Sequence, residues 1–229
     1  MKGLSSSGIL FIKGCIEVSY SKMLQGRGAP QASMPGFEHF NRYWLEQCSC
    51  FAVKIKPGEF YVTNHHEAVT TVLGSCVTAC IRDPVSGVGG MNHFLLPDTD
   101  DHRNAPFSDS TRYGAFAMEA LINEVIKHGG YKKRLEVKIV GGGSMVRGMT
   151  DIGNQNVMFV MQYLNDEGLD ITSADIGGEH PRSVVYLPRE GRLLVRKLGT
   201  LHNSKLFAAE RQLKRKLASS HTGGTVELF

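Results

Sequence analysis

The most regular hydrophobic pattern of the chain consists of two short segments on either side of a turn. Apolar side chains occupy every second position from residue 77 to residue 81, which is the period of a β-strand. Residues 91–96 are apolar again, except for Asn92 and His93. Residues 83–87, with the sequence DPVSG, combine the aspartate, proline and glycine that turns favour. The pattern predicts a β-hairpin.

The hairpin places a thiol near an imidazole. If Pro84 and Val85 lie at the centre of the turn, the numbers of opposed residues sum to about 169–171. Cys76 and His93 then face each other directly, with Cβ atoms about 4.5–5.5 Å apart on one side of the sheet. A thiol and an imidazole this close form the minimal unit of a cysteine hydrolase. A buried cysteine beside a packed histidine fits the same geometry.

The remaining pattern predicts two helices and further strands. Apolar residues at three- and four-residue spacing predict a helix over about residues 111–128, and a second one is predicted over about 154–165. Alternation predicts a strand over 135–139 that ends at the glycines 141–143. Other strands are predicted at residues 52–55, 59–63, 171–176, 183–187 and 192–198. Helices interspersed among hairpins indicate a mixed α+β fold rather than βαβ alternation.

Composition is that of an ordinary globular protein. The chain has 229 residues, of which 41% are apolar and 21% charged, and a net charge of +4 that by itself does not indicate nucleic-acid binding. Its five cysteines show no disulfide framework, which is typical of reduced thiols in the cytoplasm. No run approaches the roughly 18 apolar residues of a membrane span, so membrane insertion is not expected.

Changes in composition divide the chain into four parts. Residues 1–33 are a Ser-, Gly- and Lys-rich lead-in predicted to be disordered, and residues 34–51 are an aromatic arm predicted to pack onto the domain. Residues 52–200 form the predicted domain, in which a polar loop over 98–110 is long enough to border a site. Residues 201–229 are a basic, partly helical tail, either a solvated surface helix or a contact for an acidic partner.

Three other types of site compete with a Cys–His pair in this chain. Cys76 and Arg82 have the C-x5-R spacing of a thiol phosphatase, but the intervening residues favour an extended backbone and include no glycine. A zinc site is disfavoured because Cys76 and Cys80 would lie about 13 Å apart along a strand. The glycines at 141–143 lack both the Walker lysine and the Gly-x-Gly-x-x-Gly spacing of a nucleotide-binding loop. No metal or cofactor is therefore expected.

Several motifs together resemble the CheD family of chemoreceptor glutamine deamidases. They are TTVLGSC at 70–76, GGMNHFLLP at 89–97, RYG at 112–114, KIVGG at 138–142, IG at 152–153 with Asn156, Asp175 with GG at 177–178, and Arg182. The resemblance extends, in order, over about residues 50–198. Thr71 and Val72 stand where the family commonly has Leu-Gly, which leaves the choice between Thr70 and Thr71 open.

The resemblance implies a fold, a reaction and a set of residues. The fold is a layered α/β/β/α sandwich of mixed sheets, shared with cytotoxic necrotizing factor toxins. The reaction is deamidation of glutamine side chains on the cytoplasmic domains of methyl-accepting chemotaxis receptors. Cys76 would be the nucleophile, His93 the general base and then acid, and Thr70 the residue that orients the ring. Gly74 and Ser75 would leave the sulfur open to substrate, with backbone N–H groups near Cys76 and the side chain of Asn92 as candidate oxyanion donors.

Two other functions remain open from the sequence. A non-catalytic module of the same fold could sequester a CheC-type chemotaxis phosphatase, which is also a candidate partner of an active enzyme. A Cys–His peptidase or a transglutaminase-like enzyme would use the same two side chains. An intact-mass measurement on treated receptor separates deamidation from chain cleavage.

Overall fold

Two five-stranded mixed sheets form the framework of the protein. The computed structural model describes residues 29–96, 109–144, 152–199 and residue 212. The first sheet has the order β1 (Arg42–Leu45), β2 (Cys50–Lys54), β4 (Glu67–Leu73), β9 (Arg182–Leu187) and β10 (Arg192–Lys197). The second has the order β3 (Phe60–Thr63), β6 (Gly89–Asn92), β5 (Val77–Arg82), β7 (Glu136–Gly141) and β8 (Ile171–Ile176). The pairs β2–β4 and β7–β8 are parallel and the others are antiparallel, which confirms the α+β class.

The predicted hairpin is present as β5 and β6, but its register differs from the expected one. Cys80 pairs with Met91 and Val77 with Phe94, so opposed residue numbers sum to 171. The prediction that Cys76 lies directly opposite His93 is therefore wrong. The turn is centred one position later than predicted because Asp83 donates its backbone N–H to the carbonyl of Val88 and closes a four-residue loop. By strand alternation, Cys76 and His93 become diagonal neighbours on the same side of the sheet, a relation that spans about 7–8 Å.

The two predicted helices are confirmed, with bounds that differ from the predicted ones by one or two residues. Helix α1 covers Asp109–Lys127 and helix α2 covers Ile152–Asp166. Helix α1 packs on β3, β5 and β6, and α2 packs on β5 and on α1. The strands predicted within 52–63, 135–139, 171–176 and 183–198 are also confirmed. The sequence pattern missed β1 and, more importantly, β4, which is the central strand of the first sheet.

One hydrophobic cluster joins the two sheets to the helices. Its members come from the first sheet (Val53, Val69, Leu73, Val184, Tyr186), from the second (Tyr61, Ala79, Ile81, Met91, Val137, Ile139) and from the helices (Met118, Leu121, Val125, Val160, Leu164). Both described helices pack against strands of the second sheet. The described elements therefore form helix, sheet and sheet layers. Two mixed sheets with helices packed on them agree with the predicted layered α+β fold.

The segment predicted as an aromatic arm contributes to the same core. Met34 and Phe37 are buried in the central cluster, and the Phe37 ring contacts the ring of Tyr61 edge-on at 5.2 Å between centroids. Farther along, β1 is the edge strand of the first sheet. The predicted lead-in lies almost entirely outside the described residues, as do most of the loop at 98–110 and the basic tail apart from residue 212. No helix of the described residues is long and apolar enough to cross a membrane.

Candidate active site

The imidazole of His93 lies between the two sheets and is hydrogen-bonded to a residue of the first sheet. His93 follows directly after β6 and is 2% exposed. Its Nδ1 atom is 2.7 Å from Oγ1 of Thr71, which belongs to β4. The backbone of His93 is also fixed, because its N–H donates to the carbonyl of Glu59 at 2.9 Å and its carbonyl accepts from the N–H of Gly58 at 2.7 Å. Both the ring and the main chain of His93 are therefore held.

A chain of two hydrogen bonds determines the tautomer of this ring. The Thr71 hydroxyl has a single proton, and it donates that proton to the carbonyl oxygen of Ile55 at 3.0 Å. Oγ1 of Thr71 can then only accept from Nδ1 of His93, so Nδ1 carries the ring proton. The other nitrogen, Nε2, is left with its lone pair. Nε2 is buried and makes no hydrogen bond to the residues that the structure describes.

Burial keeps this ring neutral. Desolvation lowers the pKa of His93 from 6.5 to about 3, because a charged imidazolium is costly in a buried site. At neutral pH the ring is therefore an unprotonated base, with Nε2 as the basic atom. This is the state that can accept a proton from a thiol.

The turn that carries Cys76 is held through its carbonyl oxygens. Cys76 lies between β4 and β5 and is fully buried. Its carbonyl accepts from the N–H of Gly142 at 2.8 Å, and the carbonyl of Gly74 accepts from the N–H of Gly143 at 3.0 Å. Gly141 fits beneath this turn at φ +121°, and a Cβ atom there would overlap the Cys76 carbonyl oxygen. The glycines that end β7 thus serve as a support for the nucleophile turn, not as a nucleotide loop.

Helix α1 and strand β9 complete the surroundings of this turn. Burial and, after it, the electrostatic interaction with Cys76 raise the pKa of Tyr113, a residue of helix α1. On the other side, Arg182 is buried and donates to Asp175 Oδ1 at 3.0 Å and to the carbonyl of Gly177 at 2.6 Å. The N–H of Gly177 donates in turn to the carbonyl of Gly141 at 2.9 Å. Arg182 therefore stabilises, through Gly177, the glycines on which the Cys76 turn rests.

Thr70 is not the residue that contacts the His93 ring. Its hydroxyl donates to the carbonyl of Val53 in β2 at 3.3 Å and is 2.7 Å from the hydroxyl of Tyr43 in β1. Successive residues of a strand point to opposite faces, so only one of two adjacent threonines can reach His93. That residue is Thr71, and the sequence expectation for Thr70 is corrected accordingly.

The side chain of Asn92 is not placed to stabilise an oxyanion. Its Oδ1 accepts from the N–H of Ala79 at 2.8 Å, and its Nδ2 donates to the carbonyl of Ala117 at 3.1 Å. Asn92 and His93 are adjacent, so they point to opposite faces of the sheet, and the asparagine faces helix α1. Its role is to join β5 and β6 to that helix.

The two residues before the nucleophile differ in exposure. Gly74 is buried, whereas Ser75 is partly exposed. Of these two predicted substrate-binding residues, only Ser75 presents surface. Their contacts with a substrate remain a prediction.

Comparison with known proteins identifies the family. The family model described as CheD chemotactic sensory transduction matches residues 95–197, a range that includes neither Cys76 nor His93. A probable chemoreceptor glutamine deamidase CheD from Hahella chejuensis (strain KCTC 2396) is 45% identical over 201 residues, covering 87% of this chain and 95% of that protein. The chain belongs to the CheD family. With 87% of the chain aligned, the aligned part includes both candidate catalytic residues.

Other similarities agree with this family or add little to it. The probable chemoreceptor glutamine deamidase CheD of Methylobacillus flagellatus is 47% identical over 192 residues, covering 82% of this chain and 95% of that protein. A crystal structure of a Neisseria meningitidis protein of the family called DUF152 aligns with a TM-score of 0.31 and 9% identity over 52% of both chains. That likeness is too slight to inform the fold.

The described part of the site in this CheD-family chain contains no cluster suited to a metal. Among the residues that the structure describes, no three His, Cys, Asp or Glu side chains are grouped so that they could hold an ion. Cys80 is fully buried in β5, where desolvation raises the pKa of its thiol and keeps it protonated. Arg82 binds Glu136 at 2.8 Å at the far end of β5, and the extended strand between it and Cys76 excludes a phosphatase loop.

A matched pair of threonine substitutions tests the assignment of the orienting residue. In Thr71→Val the hydrogen bond to Nδ1 is lost and the ring can adopt the other tautomer, so we expect kcat to fall roughly 10- to 100-fold. Thr70→Val, on the same strand, removes a hydroxyl that does not touch the ring and should change kcat less than about threefold. Initial rates of ammonia release measure both. Equal losses, or a larger loss in Thr70→Val, would contradict the assignment.

Proposed function

We propose that this protein is a protein-glutamine deamidase that acts on methyl-accepting chemotaxis receptors, with Cys76 as nucleophile and His93 as general base and acid. One observation carries the proposal beyond family membership. The hydrogen bonds from His93 Nδ1 to Thr71 and from Thr71 to the Ile55 carbonyl leave Nε2 unprotonated, in a buried ring near the nucleophile turn.

The first half-reaction transfers the glutamine acyl group to sulfur. The Cys76 thiol gives its proton to Nε2 of His93 as the sulfur attacks the side-chain amide carbon of glutamine, and the carbonyl electrons move to oxygen. Because burial disfavours the imidazolium, the proton moves as the C–S bond forms, not before it. When the tetrahedral intermediate collapses, Nε2–H protonates the amide nitrogen. Ammonia leaves and a thioester remains.

The second half-reaction restores the enzyme. A water molecule gives a proton to Nε2 and attacks the thioester carbon, and the C–S bond breaks as the sulfur recovers that proton. The sum is glutamine plus water to glutamate plus ammonia, with no cofactor. Backbone N–H groups at the nucleophile turn are the proposed oxyanion donors, since the Asn92 carboxamide is engaged with Ala79 and Ala117.

The consequence for the receptor is electrostatic. Each reaction converts a neutral carboxamide into a carboxylate and adds one negative charge to a helical bundle. Such a charge shifts a two-state signalling equilibrium in the same way as other charge-changing modifications. The substrate segment is cytoplasmic, so we place the protein in the cytoplasm. A CheC-type phosphatase as a partner remains a prediction.

Ammonia release from a purified cytoplasmic receptor fragment tests this function. Wild-type protein should release one ammonia for each glutamine converted, and the fragment should gain about 1 Da per event with its chain intact. Fragment cleavage without this gain would favour a peptidase. Tight binding with no ammonia and no mass change would favour a binding module.

A further inference from the structure

Asn156 is a fully buried polar residue of helix α2 whose side chain reaches the catalytic turn. Its Oδ1 accepts the backbone N–H of Leu96 at 2.8 Å, and its Nδ2 donates to the backbone carbonyl of Ser75 at 2.9 Å. The Leu96 N–H can only donate and the Ser75 carbonyl can only accept, so the orientation of the carboxamide is determined. The two polar atoms of the side chain are thus hydrogen-bonded to two different segments, one that carries Cys76 and one that carries His93.

The contact with Ser75 fixes the peptide unit that precedes the nucleophile. A trans peptide is planar, with its C=O and the following N–H pointing in opposite directions. When Asn156 holds the Ser75 carbonyl toward helix α2, the backbone N–H of Cys76 is directed away from that helix. The neighbouring carbonyls of Gly74 and Cys76 are held by backbone N–H groups of Gly143 and Gly142. The carbonyls of three consecutive residues, 74–76, are therefore all hydrogen-bonded, and Asn156 supplies the bond that comes from a side chain.

The contact with Leu96 fixes the segment that follows the general base. Val77 and Phe94 exchange two backbone hydrogen bonds of 3.0 Å, and beyond this pair the two chains separate. Ser75 and Leu96 lie just past that point, one on each chain. Asn156 links these two residues at a point where the backbone hydrogen bonds between the two chains have ended.

We propose that Asn156 is a positioning residue for the Cys76–His93 pair: it sets the direction of the Ser75–Cys76 peptide and the spacing of the two segments at the open end of the hairpin. This inference rests on the proposed function for its kinetic consequence. A displacement of about 1 Å between reacting groups can lower a rate about 100-fold, so a bridge at this point affects kcat more than substrate binding.

Asn156→Asp is the decisive variant because the introduced carboxyl has the shape of the carboxamide. When protonated, its O–H can donate to Ser75 and its C=O can accept from Leu96, which preserves both hydrogen bonds. When ionised, it has no proton to donate and sets a negative charge against the Ser75 carbonyl. We expect kcat of this variant, relative to wild type, to fall about tenfold per pH unit above the pKa of the introduced carboxyl, with KM unchanged. Asn156→Ala should lose kcat about 10- to 100-fold at every pH.

Leu164→Ala is the matched control, since Leu164 is equally buried on the same helix and belongs to the hydrophobic cluster. It should lower the melting temperature while kcat per folded molecule stays within about threefold of wild type. A loss of kcat in Leu164→Ala as large as in Asn156→Ala would overturn the proposal. So would an Asn156→Asp profile parallel to that of wild type. If Asn156→Ala fails to fold, the pH profile of Asn156→Asp decides alone.

A second measurement separates this inference from the proposed function. The rate of alkylation of Cys76 by iodoacetamide, followed by peptide mass mapping, needs no receptor substrate. If the turn is held by Asn156, the alkylation rate in Asn156→Asp relative to wild type should change with the same midpoint pH as kcat. If no ammonia is released but the relative alkylation rate of Asn156→Asp still changes with pH about one midpoint, the deamidase is refuted and the bridge supported. A relative alkylation rate that does not change with pH would refute the bridge whatever the ammonia assay gives.

Discussion

Cys76→Ala is expected to reduce ammonia release from a receptor fragment to the uncatalysed rate, a loss of at least about 10³-fold in kcat. A carboxamide is a poor electrophile, and without the thiol no covalent intermediate can form. The remaining parts of the site can bind the substrate but have no nucleophile at the required position. Ammonia assays at saturating receptor fragment measure this loss, with circular dichroism to confirm that the variant is folded.

Cys80→Ala provides the matched control for that substitution. Cys80 is also fully buried, only four residues away in β5, but burial raises the pKa of its thiol and keeps it protonated. Its removal should cost stability and leave kcat within about threefold of wild type. A variant Cys76→Ala that keeps more than a tenth of wild-type activity would contradict the assignment of the nucleophile.

His93→Gln should lower kcat by about 10²- to 10⁴-fold, because the base that deprotonates the thiol and the acid that protonates ammonia are the same ring. The loss should fall on kcat, with KM changed little. An equal loss in a surface histidine variant, His66→Gln, would show that the effect is not specific. His66 is an exposed residue paired with Glu190, and its replacement should leave kcat unchanged.

The buried ring of His93 should also make the free energy of unfolding depend on pH. The pKa of His93 is about 3 in the folded protein and about 6.5 in the unfolded chain, so on acidification the unfolded chain binds this proton first. The contribution of the neutral His93 ring to the free energy of unfolding is therefore fully present above pH 6.5. It is lost as the pH falls from 6.5 toward 3, by up to roughly 1.4 kcal/mol per pH unit. Urea unfolding at pH 7 and pH 4.5 should show a smaller acid loss in His93→Gln than in wild type. Identical losses would contradict a neutral buried ring.

Local sequence patterns predicted the helices and most strands because the spacing or alternation of apolar residues marks these elements along the chain. The three- and four-residue spacing in α1 reflects a helix with one side on the second sheet. Strand β4 was missed because the apolar and polar residues of its sequence, EAVTTVL, do not alternate; of its seven residues only Val72 is not buried. A central strand of this kind is identified by the strands that pair with it, and local sequence patterns do not show which strands pair.

The candidate site was predicted in its chemistry but not in its details. Cys76 and His93 were found from turn composition, whereas the register depends on which residues close the loop, here Asp83 and Val88. The choice between Thr70 and Thr71 depends on which face of β4 meets the second sheet, and β4 shows no alternation. Asn156 is quoted in the family motifs, but its contact with Ser75 joins residues far apart in the chain and could not be derived from local spacing.

Deamidation in H₂¹⁸O tests the central claim, hydrolysis of a glutamine amide through a Cys76 thioester, most directly. A receptor fragment treated with wild-type protein should gain about 3 Da per modified glutamine, since one labelled oxygen replaces the amide nitrogen. The same fragment treated with Cys76→Ala should keep its mass. Labelled fragment in the Cys76→Ala reaction, or cleavage of the fragment by wild-type protein in place of glutamine conversion, would contradict a Cys76 thioester.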